Sequence, residues 1–119
     1  MKILQKSLEY EGKDYYVMHL SIINSILPKK MTGKEIEILA LFFNLDKVLT
    51  QDDMFNTLAR RKVKEQMDGM TAGSLSNHLK SLIEKGFIDK NSITNRLTVK
   101  SYLIPEENKQ GYQFKLIKK

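Results

Sequence analysis

Cysteine and tryptophan are absent from this 119-residue chain, and proline and histidine occur twice each. Without cysteine there is no disulfide framework, no thiolate nucleophile and no sulfur ligand for a metal, which fits a reducing cytoplasm. The two histidines, His19 and His78, stand in no H-E-x-x-H arrangement, and neither a G-x-S-x-G elbow nor a phosphate-binding glycine loop occurs. The acidic pairs Asp52-Asp53 and Glu106-Glu107 are adjacent residues whose side chains diverge in most backbones, at a helix start and in a loop where acids are common. No base, nucleophile and orienting group can be named together, so the expectation is a non-enzyme without metal or cofactor. The longest uninterrupted apolar run, Ile38 to Phe43, is far shorter than the roughly 20 residues of a membrane span, and the N-terminus has no secretory apolar region. A soluble, cytoplasmic protein is expected.

Charge of one sign, by contrast, is abundant in one half. Residues 1–59 carry 7 basic and 8 acidic groups, net −1, whereas residues 60–119 carry 13 basic and 6 acidic groups, net +7. A localised positive surface attracts polyanions, nucleic acid foremost, although acidic proteins and anionic lipids respond to the same Coulomb attraction. With 41% hydrophobic and 29% charged residues the balance is that of one ordinary globular domain.

Along the chain, Lys2–Tyr10 and Asp14–Leu20 are β-favouring runs around the turn-forming triplet Glu11-Gly12-Lys13, and read as a β-hairpin. Ser21–Leu27 is ambiguous in period, and Pro28 closes it. This gives an extension over residues 1–30 followed by a main domain over 31–119. Thr32-Gly33-Lys34-Glu35 has the spacing of a capping box, and Ile36, Leu39, Ala40 and Phe43 fall on one helical face through Leu45. A second helix is expected from about Thr50 or Gln51 to Met67, with Asp52 and Asp53 in its first turn and the cationic run Arg60, Arg61, Lys62, Lys64 toward its end.

The third helix, about Ala72–Lys85 with Thr71 as cap, has a narrow apolar stripe of Leu75, Leu79, Leu82 and Ile83. Its other face carries Ala72, Gly73, Ser74, Ser76, Asn77, Lys80 and Ser81, with a single acid, Glu84, near the end. Such short and hydrogen-bonding side chains allow close approach to another surface, and Ser, Asn and Lys can donate to phosphates or base edges. Gly86 ends the helix and Phe87–Lys90 turns to strand chemistry. Two turns, 91–95 or 105–111, could then form the tip of a hairpin, and Tyr112, Phe114 and Leu116 alternate with Gln113, Lys115 and Ile117 as in a strand with one inward face.

The stretch Met70-Thr71-Ala72-Gly73-Ser74-Leu75-Ser76-Asn77-His78-Leu79-Lys80-Ser81-Leu82-Ile83-Glu84-Lys85-Gly86-Phe87-Ile88 resembles the recognition-helix signature of winged helix-turn-helix proteins. The helix from Thr32 resembles that family's first helix. By size and layout the chain is also similar to small winged-helix proteins of tailed bacteriophages, which places it in a bacterial or phage-infected cell. The resemblance implies an α+β winged helix-turn-helix with three helices and a C-terminal β wing, beside the N-terminal hairpin extension. It further implies a double-stranded DNA-binding transcriptional regulator, with the third helix in the major groove and the wing on the backbone. Ser74, Ser76, Asn77 and Lys80 then face bases and nearby phosphates, and Thr71 a phosphate at the helix start. Arg60, Arg61, Lys62, Lys64, Arg96 and Lys100 supply phosphate contacts independent of sequence. Two departures stand out: a long second helix and a long wing.

Plainer readings stand beside these. Thr71 caps a helix whatever else it does, the Arg60–Lys64 run complements a helix C-terminus, and His78 lies in angle beside the apolar stripe. A protein–protein adaptor in a transcription, replication or virion assembly is the alternative function, docking through Tyr15, Tyr16, Val17, Met18, Ile22 and Ile23. The extension could equally serve as an extra sheet or as a homodimer contact.

Overall fold

The computed structural model describes residues 4–119 and is an α+β structure of five helices and one two-stranded antiparallel sheet. The order is α1 (Lys13–Asn24), α2 (Gly33–Phe43), α3 (Lys47–Thr50), α4 (Thr57–Glu65), α5 (Ala72–Glu84), β1 (Ile88–Lys90) and β2 (Leu97–Val99), followed by a 3-10 turn over Ser101–Leu103. No described helix is long and apolar enough to cross a membrane.

The core is built around α2, which forms where the capping box predicts. Thr32 Oγ1 accepts from the Glu35 N–H at 3.1 Å, and Glu35 Oε1 accepts from the Thr32 N–H at 2.8 Å. Two orphan donors of the first turn are thereby satisfied at once. Behind this start, Ile38, Leu39, Ala40, Leu41 and Phe42 are buried on nearly every side, as expected of a helix that is apolar all round. The Phe42 and Phe55 rings meet at 4.7 Å between centroids. Leu75, Leu79 and Leu82 of α5 and Ala59 and Val63 of α4 close the same core.

The N-terminal hairpin is not what forms. Lys2 and Ile3 lie outside the described residues, 4–10 has no regular structure, and Asp14–Leu20 belongs to α1. The β-favouring Tyr15-Tyr16-Val17 run is overridden by packing, since at helical spacing Tyr16, Leu20 and Ile23 share the face that meets the core. Leu20 is fully buried, and the Tyr16 ring lies 5.8 Å from that of Phe43. Gly12 ahead of the helix has a φ of 56°, a left-handed conformation open to glycine. Of the expected extension it is α1 that packs against the core, while residues 4–10 are exposed.

The expected second helix also differs. Asp46 caps the one-turn α3, Asp53 Oδ1 accepts from the Phe55 N–H at 3.0 Å in the following loop, and Asn56 caps α4 by accepting from the Ala59 N–H at 2.8 Å. Asp52 and Asp53 therefore precede α4 instead of starting it, and α4 is short. Five helices replace the expected three.

Beyond α5, the chain turns as anticipated. Gly86 has a φ of 86°, and the Phe87 N–H reaches the Leu82 carbonyl at 3.0 Å, ending the helix and feeding β1. β1 and β2 pair in the register Ile88↔Val99, Asp89↔Thr98, Lys90↔Leu97. Of the two candidate tips, the first is used: Asn91 Oδ1 accepts from the Ile93 and Thr94 N–H groups, and Asn95 takes a φ of 61°. The expected strand over 112–117 does not form, and Phe114, Leu116 and Ile117 have no inward face because all three are exposed. Tyr112 is used as an anchor, with its hydroxyl on His19 Nδ1 while His19 Nε2 meets the Leu103 carbonyl at 2.8 Å.

Candidate nucleic-acid interface

α4 ends at Glu65, and the turn through Gly69 leads to Thr71, which caps α5 by accepting from the Ser74 N–H at 3.0 Å. This cap sets the phase of α5. Leu75, Leu79 and Leu82 are buried, and Ser76, Asn77 and Lys80 are exposed on the opposite crest. The first turn carries no acid, and Gly73 has open space around it, so the crest is low and electropositive at its start.

Two clefts flank that crest. The first, of about 480 Å³, runs between α4 and α5 and is lined by Arg60, Arg61, Lys64, Ala72 and Ser76, with Asp53 at its edge. The second, of about 630 Å³, lies between α5 and the hairpin, where Arg60, Ser76, Lys80, Lys90, Asn95 and Glu84 converge. Arg60 and Ser76 line both, so the clefts form one continuous surface. Its five cations face two acids, Asp53 and Glu84. The ion pairs among the described residues, Lys13–Glu37, Lys85–Glu35 and Lys100–Asp89, involve none of these five. Arg60 is half-buried and donates from Nε to the Phe55 carbonyl at 2.8 Å, which fixes its guanidinium and leaves its terminal N–H groups for a ligand.

Sequence reasoning named eleven residues here, and the structure divides them. Arg60, Arg61, Lys64, Ser76 and Lys80 line the clefts, and Asn77 is exposed on the crest but lines neither of them. Thr71 sits at the helix start as a cap, and Ser74 is half-buried on the far flank of α5 beside His78. Lys62 is turned about 200° from Arg60 on α4 and lies on the opposite flank. Arg96 lines a different cleft with residues 50–54, where Asp52 and Asp53 oppose its charge. Lys100 is held by Asp89 at 3.0 Å.

Lys90 and Asn95 were not anticipated. Lys90 read only as the end of a strand, yet the period of two that buries Ile88 brings Lys90 back to the α5 side. Asn95 was legible only as a turn residue, and its left-handed φ is what aims it at the cleft mouth.

The far end of α5 is locked to α2. Lys85 Nζ donates to Glu35 Oε1 at 2.6 Å, and Glu35 is 1% exposed, with Oε2 buried and without a hydrogen-bond partner among the described residues. Burial pushes the Glu35 carboxyl up, but the bonds from Lys85 and the Thr32 N–H outweigh it and hold the group below its ordinary range. One carboxylate thus ties the start of α2 to the end of the helix that carries the crest.

No protein-family profile, curated protein or solved structure matches this chain.

Proposed function

We propose that the chain is a winged helix-turn-helix protein that binds double-stranded DNA, with α5 in the major groove, the β1–β2 hairpin as the wing, and a role in transcriptional regulation. The observation that carries this reading is the crest of Ser76, Asn77 and Lys80, flanked by cations from α4 and β1 that no acid among the described residues pairs. A helix whose outer side chains are short can enter a groove about 12 Å wide, and cations on both sides then meet the two phosphate strands. The order of helices α2, α4 and α5 followed directly by a hairpin supports the same reading. In this arrangement Arg60, Arg61, Lys64, Lys80 and Lys90 neutralise phosphates, and Asn77 is the residue suited to read adenine, because its amide donates and accepts together.

The test is fluorescence anisotropy with a random-sequence duplex over a salt series. Five phosphate contacts correspond to a slope of log K against log salt of about −4 to −5. A Lys80→Ala or Lys90→Ala change should make that slope shallower by about 1, while Lys62→Ala should leave it nearly unchanged. Absence of binding at low salt by the folded protein would refute the proposal.

A further inference from the structure

The tip of the β1–β2 hairpin carries no ionisable side chain between Lys90 and Arg96, and at its centre Ile93 is 89% exposed. The tip is nevertheless a closed turn. The Asn91 N–H donates to the Arg96 carbonyl at 2.9 Å, and the Asn95 N–H donates to the Asn91 carbonyl at 2.8 Å. Asn91 Oδ1 accepts from the Ile93 and Thr94 N–H groups at 2.9 and 3.0 Å. Thr94 Oγ1 accepts from the Arg96 N–H at 3.3 Å, and Asn95 lines the cleft between the hairpin and α5. The side chains of Asn91, Thr94 and Asn95 are thus engaged in the turn or at the cleft, and Ser92 and Ile93 stay exposed. A backbone bonded in this way holds Ile93 off the body of the protein.

Reach and chemistry say what this side chain meets. The argument rests on DNA binding by α5, in which Lys90, at the cleft beside the crest, takes a phosphate. Ile93 follows three residues later, so its Cα stands at most about 10 Å from that of Lys90. With the crest in the major groove, the feature beyond that phosphate strand is the neighbouring minor groove. An uncharged tip gains nothing from phosphates, and an aliphatic side chain has no hydrogen bond to offer base edges. It can pack on the sugar walls and press between base pairs. That pressure costs unstacking, and the cost depends on how easily the base step opens.

We propose that Ile93 is an apolar wedge in the minor groove that selects deformable pyrimidine–purine steps, giving a sequence preference at base pairs that α5 does not touch. Lys90 supplies the charge that holds the hairpin on the duplex, and Ile93 supplies the shape that discriminates between steps. The closed turn is what makes this discrimination available, because a loose tip would fold away from a stiff step instead of resisting it.

Two duplexes of equal length test it, an alternating TA duplex and an uninterrupted A-tract. They carry the same phosphates and the same minor-groove acceptors and differ in stiffness. The parent should bind the alternating duplex about tenfold more tightly. Ile93→Ala should lose about that factor on the alternating duplex and little on the A-tract. Its salt slope and circular dichroism spectrum should match the parent's, since neither a charge nor a buried group is removed. Ile93→Leu, still apolar, should keep most of the preference. A preference that survives Ile93→Ala, an equal loss on both duplexes, or a parent that binds both alike overturns the wedge and leaves DNA binding by α5 standing. A folded parent that binds neither duplex at low salt overturns both.

Discussion

At one end of the molecule, α4, α5 and the hairpin hold polar side chains on capped, regular backbone, whereas at the other α1 is flanked by two irregular stretches with apolar side chains in water. The first end presents fixed charges around a low crest, and the second presents unused backbone and unburied leucines. The difference teaches that local caps and helical spacing suffice to order the first end, while the irregular stretches of the second are held at a single anchor, Tyr112 on His19. Between them lies α2, the helix both ends pack on or connect through.

The most severe way to break the contrast is to remove that shared element. Phe42→Ala takes a fully buried ring from beside Phe55 and should cost about 4 kcal/mol in urea denaturation. Probes on Tyr112 and on α5 should lose structure in one transition. If the α1 end unfolds separately, the two ends do not share a core.

Next in size is the link between α2 and α5. Glu35→Ala removes the reciprocal half of the capping box and the partner of Lys85, and should destabilise by about 3 kcal/mol. The pH dependence has a definite sign. Because the folded Glu35 pKa lies below its ordinary 4.5, this stabilisation is present above that value and is lost as pH falls through the folded pKa. Glu35→Gln should flatten the acid limb of the stability profile.

How much of this was legible in the sequence follows the same division. The caps of α2 and α5 are local, since Thr32 needs only Glu35 and Thr71 needs only the Ser74 N–H, and both helices lie within two residues of their expected bounds. The helix stop at Gly86 and the strand after it were readable for the same reason. α1 was not, because Tyr15, Tyr16 and Val17 favour a strand in isolation and only contact with Phe43 and the rest of the core makes them helical. α4 was misplaced because Asp52, Asp53 and Asn56 are all plausible caps, and the choice depends on burying Phe55. In the candidate interface Arg60, Arg61, Lys64, Ser76 and Lys80 were among the residues named, but Lys62 and Ser74 were named with them because the cationic run and the polar face were read whole rather than by helical angle. Lys90 and the diversion of Lys100 to Asp89 needed the hairpin register, which no local signal encodes.

Smaller effects test the crest end without touching the fold. Lys80→Ala and Lys90→Ala, both exposed, should change stability by no more than about 0.5 kcal/mol while each weakens DNA binding. Loss of stability with either change would mean that these lysines support the hairpin instead of facing a ligand.

The mildest expected effect belongs to the α1 end and reads its anchor directly. A carbonyl only accepts, so His19 Nε2 carries the proton donated to Leu103, and in the neutral ring Nδ1 accepts from the Tyr112 hydroxyl. Burial pulls the His19 pKa below its ordinary 6.5, against the opposing effect of the Leu103 hydrogen bond, so the unfolded chain binds more protons than the folded one just below that pH. Stability is therefore complete above about pH 6.5 and declines as pH falls toward the folded pKa, by less than about 1.4 kcal/mol per pH unit for one group. On the alkaline side, burial pushes the Tyr112 hydroxyl up to about 12 from 10.0, so its stabilisation is lost as pH rises between those values. Thermal melts of the parent and of His19→Gln between about pH 5 and 7 check the acid limb. The slope should disappear in the variant, because glutamine can donate to the Leu103 carbonyl without titrating. A slope that survives the substitution would assign the acid sensitivity to another group.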